Sequence, residues 1–136
     1  MSLQTKTLHI KTSKIPNAGR GCFAKRAFKA GELIAYFKGD VITMRKANKI
    51  SNSADPRKYY FVDLENGNIL DVYDSPSLIK YANDAEGLTK MKGLSNNSEI
   101  RVCSNRKMAY VVATKNITVG SEIFLEYGEE YWNNIL

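Results

Sequence analysis

The chain is poor in several residue types, and each shortage closes off a class of protein. Only two cysteines, Cys22 and Cys103, and one histidine, His9, occur among its 136 residues. The cysteines lie far apart and form no CxxC pair, so the chain alone cannot assemble the four ligands of a structural zinc site. Both read as small, buried hydrophobes, and no metal is expected. No stretch approaches the roughly 20 apolar residues of a membrane helix, and the first residues hold no apolar signal-peptide core. An intracellular protein without membrane contact is the expectation.

Charge of one sign is missing at either end. Residues 1 to 31 hold seven bases (Lys6, Lys11, Lys14, Arg20, Lys25, Arg26, Lys29) and no acid. Residues 121 to 136 hold four acids (Glu122, Glu126, Glu129, Glu130) and no base. Either these are solvated faces, or one end attracts an anionic ligand and the other a basic peptide.

What is present suits one ordinary domain over residues 1–136. The composition is 43% hydrophobic and 25% charged, with net charge +6, and the length suffices for a single core. Leu8 and Ile10 alternate with polar neighbours, as in a short strand. Pro16, Asn17, Gly19 and Gly21 follow as a turn-rich loop. Cys22 to Phe28 and Leu33 to Phe37 read as two strands joined at Ala30–Gly31, with Val41–Ile42 as a third. A short helix and loop are expected over residues 44 to 58.

Tyr59 to Leu64 and Ile69 to Tyr73 are β-branched and aromatic runs flanking Asn66–Gly67, a dipeptide that favours a tight hairpin turn. Asp74 or Ser75 can cap a helix carrying Leu78, Ile79 and Ala82, with Pro76 in its first turn. Three further strands are expected at Ile100 to Cys103, Met108 to Ala113 and Glu122 to Tyr127. Short strands and few helices indicate a mostly-β fold. The lack of β-α-β alternation argues against a doubly wound sheet.

Two segments carry a resemblance. The first is Gly19-Arg20-Gly21-Cys22-Phe23-Ala24, followed by Gly31-Glu32-Leu33-Ile34 and Gly39-Asp40-Val41-Ile42. The second is Lys115 to Ile123, with its Gly120-Ser121-Glu122 turn, running into Leu125-Glu126-Tyr127-Gly128 and Tyr131-Trp132. In this order they resemble the opening and closing patterns of SET-domain lysine methyltransferases. Between them, Asp71 and Leu78-Ile79-Lys80-Tyr81-Ala82-Asn83-Asp84-Ala85 stand where that family has Arg-Phe-Ile-Asn-His-Ser-Cys, with Asn97 shortly after. Lys80 replaces arginine and Tyr81 phenylalanine, while Asp84 and Ala85 replace His-Ser. Phe37 stands where many relatives have tyrosine, with Tyr36 beside it.

The resemblance covers residues 8 to 132 and implies a minimal SET domain without zinc-binding flanking modules. It implies a β-clip fold of small curved sheets, with a C-terminal pseudoknot that brings Asn83 and Tyr127 beside the glycine loop. It also implies transfer of a methyl group from S-adenosylmethionine to a protein lysine. In that reading Gly19, Arg20 and Gly21 let backbone approach the donor, which Asn83 and Asp84 also bind, and Lys80 or Arg20 meets its carboxylate. Trp132 either covers the adenine or closes the core. Tyr127 is the catalytic residue, orienting the reacting atoms, and Tyr36, Phe37 and Leu125 line the lysine channel.

The substrate implied is a basic protein or peptide, such as a histone tail or another small basic protein. A histone substrate would place the protein in the nucleus, any other in the cytoplasm. Dimerisation is one way for a minimal domain to complete its peptide groove. Two alternatives stand beside the enzyme. One is a catalytically weak SET domain that binds basic peptides, suggested by Asp84, Ala85 and Phe37. The other is nucleic-acid binding through residues 1 to 31, which lacks aromatic interleaving and any helix-turn-helix or zinc-finger spacing.

Overall fold

The computed structural model describes residues 3–86, 93–103, 105 and 108–127. Ten short strands form three small sheets. The first sheet joins β1 (Leu8–Thr12), β2 (Arg20–Ala24) and β9 (Glu122–Ile123), in that order. The second has the order β10 (Leu125–Glu126), β7 (Ser98–Cys103), β8 (Met108–Ala113), β3 (Leu33–Phe37). The third has β6 (Asn68–Asp71) between β4 (Asp40–Thr43) and β5 (Phe61–Asp63). The mostly-β expectation holds, and among the described residues no helix is long and apolar enough to cross a membrane.

One main core cluster runs through the sheets, with two smaller ones beside it. Leu8, Cys22, Phe28, Leu64, Ile79, Val111, Ile123 and Leu125 are all within 2% of full burial and belong to one cluster. Cys22 is buried as expected, while Cys103 is only partly covered. The one α-helix among the described residues, α1 (Met44–Ser51), starts where Thr43 Oγ1 accepts from the Lys46 amide at 3.2 Å, a side-chain cap for an otherwise unpaired donor. It buries only Ala47, against Ile42 and Ile69 of the third sheet.

Four local expectations need correction. The strand expected over Cys22 to Phe28 runs from Arg20 to Ala24 instead, pairing with β1 and β9, while β3 pairs with β8. The chain between them runs beside the end of β8 and the segment after it: Phe28 bridges Ile117, and the Gly31 amide donates to Ala113 O at 2.7 Å. The β5–β6 hairpin does turn at Asn66–Gly67, but its tip spans Glu65 to Gly67. The Leu64 amide reaches Asn68 O at 3.1 Å, and Glu65 and Gly67 both take positive φ, at 61° and 85°. That is a three-residue tip in place of the two-residue turn.

The expected helix near Pro76 is one 3-10 turn, Leu78–Tyr81, and it starts at Ser77. Ser75 Oγ does accept an amide, that of Ser77 at 3.0 Å, but in the loop before the helix. Lys80 Nζ folds back onto the carbonyls of Tyr73 (2.8 Å) and Ser75 (2.7 Å), tying the turn to that loop. Finally, Glu122 to Tyr127 is not one strand. It breaks at Phe124, so β9 pairs antiparallel with β2 while β10 pairs parallel with β7.

That break makes the threaded arrangement. Residues 122–127 lie between two earlier segments. The Leu125 amide donates to Asn83 O at 2.8 Å, and Phe124 O accepts from the amides of Asn97 and Ser98 at 3.0 and 3.1 Å. Asn97 adds its side chain, donating to Glu122 O at 3.0 Å and accepting from the Phe124 amide at 2.9 Å. Every backbone group at the break is thereby paired, which such a buried segment requires.

Candidate active site

The threaded segment gathers the expected site residues from distant parts of the chain. Asn83 Nδ2 donates to Arg20 O at 2.9 Å, fixing the side chain against the start of β2. The Tyr127 hydroxyl donates to Ala82 O at 2.5 Å. Asn83, the glycine loop and Tyr127 are thus joined through two short hydrogen bonds and one residue of backbone.

The two loop glycines have different reasons. Gly19 is exposed at φ 74°, and a side chain there would meet nothing within 4 Å. Its need is conformational, and the space above it is open to a ligand. Gly21 is buried, and a Cβ there would sit 2.4 Å from Glu122 Oε2. On the side where a Cβ would stand, the close approach it permits is to this carboxylate.

Glu122 itself corrects the reading of an acidic tail. It is 2% exposed, accepting from Ser13 Oγ at 2.6 Å and the Lys14 amide at 2.8 Å. It therefore faces inward and fastens the glycine loop to β9. Burial and this neighbouring carboxylate push the Cys22 thiol up to about 12. Glu129 and Glu130 lie outside the described residues, as does Trp132.

Below Tyr127 opens a pocket of about 700 Å³, lined by Phe37, Tyr60, Ile79, Ala82, Leu125 and Tyr127 among others. Of the three expected channel residues, Phe37 and Leu125 line this pocket. Tyr36 does not. Alternation along β3 sends it to the opposite face, where it is 43% exposed and packs on Tyr110 with ring centres 6.0 Å apart. Lys80 touches the pocket, but its amine is taken by the Tyr73 and Ser75 carbonyls. Arg20 is exposed at the loop, which leaves it the better placed of the two for a carboxylate.

Asp84 turns away from the glycine loop. Its carboxylate accepts from the Tyr127 amide at 3.0 Å (Oδ2), and from the Glu86 amide at 2.9 Å and Asn96 Nδ2 at 2.8 Å (both Oδ1). Ala85 packs with Ile15 and Phe124, seating the glycine loop on the threaded segment.

Sequence reasoning missed Tyr60. Its ring meets Tyr73 edge-on at 5.3 Å, and Arg57 holds Tyr73 from the other side, 4.9 Å from the ring centre. Burial first, then the Tyr81 and Tyr73 phenols, raise the Tyr60 pKa, so it stays a neutral donor. Aromatic enrichment over residues 59 to 73 was the available signal, but a strand explained it equally well.

The sequence profile of the SET domain matches residues 19–128. N-lysine methyltransferase KMT5A-A of Xenopus laevis is 27% identical over 136 residues, and KMT5A of Xenopus tropicalis 26% over 130. The matches take in 93% and 88% of this chain but only 38% and 36% of those proteins. The fold is also similar to a chain of ctPRC2 in an autoinhibited conformation bound to S-adenosylmethionine, with TM-score 0.74 and 20% identity, over 96% of this chain and 16% of that one. A chain of an active polycomb repressive complex 2 in the basal state gives 0.72 and 22%, over 91% and 15%. With the profile spanning all three sheets from the glycine loop to the end of the threaded segment, the chain belongs to the SET domain family.

Proposed function

We propose that this protein transfers a methyl group from S-adenosylmethionine to a lysine ε-amine on a basic protein segment. One observation carries the reading: Tyr127 lies between two compartments. The strand that leads into it is bonded to Asn83, whose side chain reaches the start of β2, and Tyr127 itself lines the pocket. A group held on one side and an amine entering from the other would meet at its hydroxyl.

The loop side fits the methyl donor. Gly19 leaves open space, Asn83 is fixed with its Oδ1 free of donors among the described residues, and Arg20 is exposed for a carboxylate. When bound, the sulfonium supplies an electrophilic methyl carbon. The names of the similar N-lysine methyltransferases and the donor-bound ctPRC2 support the same reading.

The pocket side fits lysine. A free lysine amine, with pKa near 10.4, is protonated at neutral pH and cannot attack. Walls of Phe37, Ile79, Leu125 and the aromatic rings disfavour the cation and so favour its loss of a proton. Tyr127 and the Ala82 carbonyl then orient the amine, and most of the acceleration comes from alignment and preorganisation. Asp63, Glu65, Glu99 and Glu126 also line the pocket, which suits a basic segment around the target. The site of action would be inside the cell, and the nucleus if that segment is a histone tail.

The test is incubation with radiolabelled S-adenosylmethionine and matched basic and acidic lysine peptides. Label should enter the basic peptides, and salt rising from about 0.05 M to 0.3 M should raise KM more than it lowers kcat. No incorporation at millimolar donor, or equal labelling of acidic peptides, would overturn the proposal.

A further inference from the structure

Asp84 occupies a position where the family pattern has histidine, and its surroundings explain what an acid does there. Three N–H groups converge on it from separate segments: the Tyr127 amide on Oδ2, and the Glu86 amide and Asn96 Nδ2 on Oδ1. The residue is 8% exposed. Only a carboxylate can accept at both oxygens. A neutral imidazole offers one acceptor nitrogen, and a side-chain amide offers one oxygen and turns two N–H groups towards the remaining donors. The chemistry at this point therefore selects aspartate.

What the carboxylate holds is the backbone of the residue whose hydroxyl faces the pocket. Ala82 O takes that hydroxyl at 2.5 Å, and Asp84 takes the amide of the same residue at 3.0 Å. Tyr127 is thus gripped at both ends by residues two apart in the stretch that follows the 3-10 turn. Parallel pairing of β10 with β7 stops at Glu126, one residue short of Tyr127. The carboxylate thus holds the first amide after the paired residues of β10.

We infer that Asp84 is the positioning residue for Tyr127: its carboxylate sets the register and angle at which the phenol meets the reacting amine. The inference rests on the methyl-transfer reading above. It also resolves the departure from the family pattern, since Asp84 preserves the placement of the tyrosine by a different chemical route. Restoring the family's residue should therefore do harm.

The test compares Asp84→Asn, Asp84→His and Asn96→Ala, with S-adenosylmethionine binding measured calorimetrically and kcat expressed per bound donor. Both Asp84 variants should lose at least tenfold in kcat, with donor Kd and peptide KM within twofold of wild type. Asn96→Ala removes one partner of Oδ1 and leaves the Tyr127 contact, so it should lower the melting temperature but keep kcat within twofold. Unchanged kcat in the Asp84 variants, a parallel rise in Kd and KM, or an equal loss of kcat in Asn96→Ala would overturn the inference. Amide hydrogen exchange decides the placement separately, and without a variant that must fold. In the wild-type protein the Tyr127 amide should exchange at least tenfold slower than an unprotected amide, and exchange at the unprotected rate would overturn the inference. If the wild type neither binds donor nor methylates peptide, the proposed function falls, and the exchange result still shows whether Tyr127 is held.

Discussion

The Tyr127 hydroxyl donates to the carbonyl oxygen of Ala82 at 2.5 Å, across 45 positions of sequence. A ring on the threaded segment is thereby held against the turn that also carries Asn83. The contact ties the conformation of the pocket wall to that of the glycine-loop side, because Asn83 O in turn takes the Leu125 amide and Asn83 Nδ2 donates to Arg20 O. Each compartment is built from a strand and a turn that the other also uses.

Replacing Tyr127 by phenylalanine should leave the fold and donor binding nearly intact while cutting kcat at least tenfold. Only a hydroxyl is removed, and one hydrogen bond contributes about 1 kcal/mol to stability. A tenfold fall in rate at constant donor Kd would then report a contact made in the transition state. Calorimetry and single-turnover methylation check it, and an unchanged rate would reduce Tyr127 to packing.

Arg57 should matter more for stability than its surface position suggests. It donates to Asp71 and Asp74 at 2.8 Å each, and Asp71 is 6% exposed while the Asp74 side chain is 70% exposed. Both carboxylates hold the guanidinium's pKa above its ordinary value. Arg57→Ala leaves the Asp71 charge buried without this partner and should lower the urea midpoint clearly more than Asp74→Ala does. Asp74→Ala should cost under about 1 kcal/mol, since solvent already screens that pair. Equal costs would mean that burial of Asp71 is not what counts.

The two ends of the site were legible in the sequence because short-range spacing defines them. Glycine-rich turns and a closing acid–tyrosine pair survive as local patterns, and the structure brings Asn83 to the glycine loop and Phe37, Leu125 and Tyr127 to one pocket. What was illegible depends on distant partners. Nothing local says that Glu122 turns inward to Ser13, that Gly21 is small for its sake, or that Asp84 meets the Tyr127 amide. Likewise, Glu122 to Tyr127 reads as one strand because alternation continues through it, and only its two different partners, β2 and β7, reveal the break at Phe124. Tyr36 and Phe37 are adjacent aromatics, and sequence alone does not say which one faces in.

Alkylation should separate the two cysteines. Cys22 is fully buried with its thiol pushed up to about 12, by burial first and by Glu122 second, whereas Cys103 is partly exposed. The thiolate is the reactive form, so iodoacetamide at pH 8.5 should add one group, on Cys103, until denaturant releases Cys22. The folded thiol also holds its proton more tightly than the unfolded one, whose ordinary value is 9.0. Its contribution to stability is therefore complete below pH 9 and fades as pH rises towards 12. Cys22→Ala should lose less stability than wild type between pH 8 and 10.5. Rapid native labelling of Cys22 would contradict both statements.

The number of methyl groups added should depend on Leu125. It is 2% exposed and lines the pocket beside Tyr127 and Phe37, and neither Leu125 nor Phe37 carries a polar atom on its side chain. An ordered water needs two to four polar partners, so this part of the pocket holds one poorly and leaves its volume open. A monomethylated amine can then turn its lone pair back towards the donor side for another transfer. Di- or trimethyl product is expected at long times. Leu125→Tyr places a hydroxyl in that space, where it can retain a water with the Tyr127 hydroxyl, and should shift the product towards monomethyl. Mass spectra decide between the outcomes. Wild-type product that stops at a single methyl with donor in excess would show that the apolar wall by Leu125 already excludes the second group by shape.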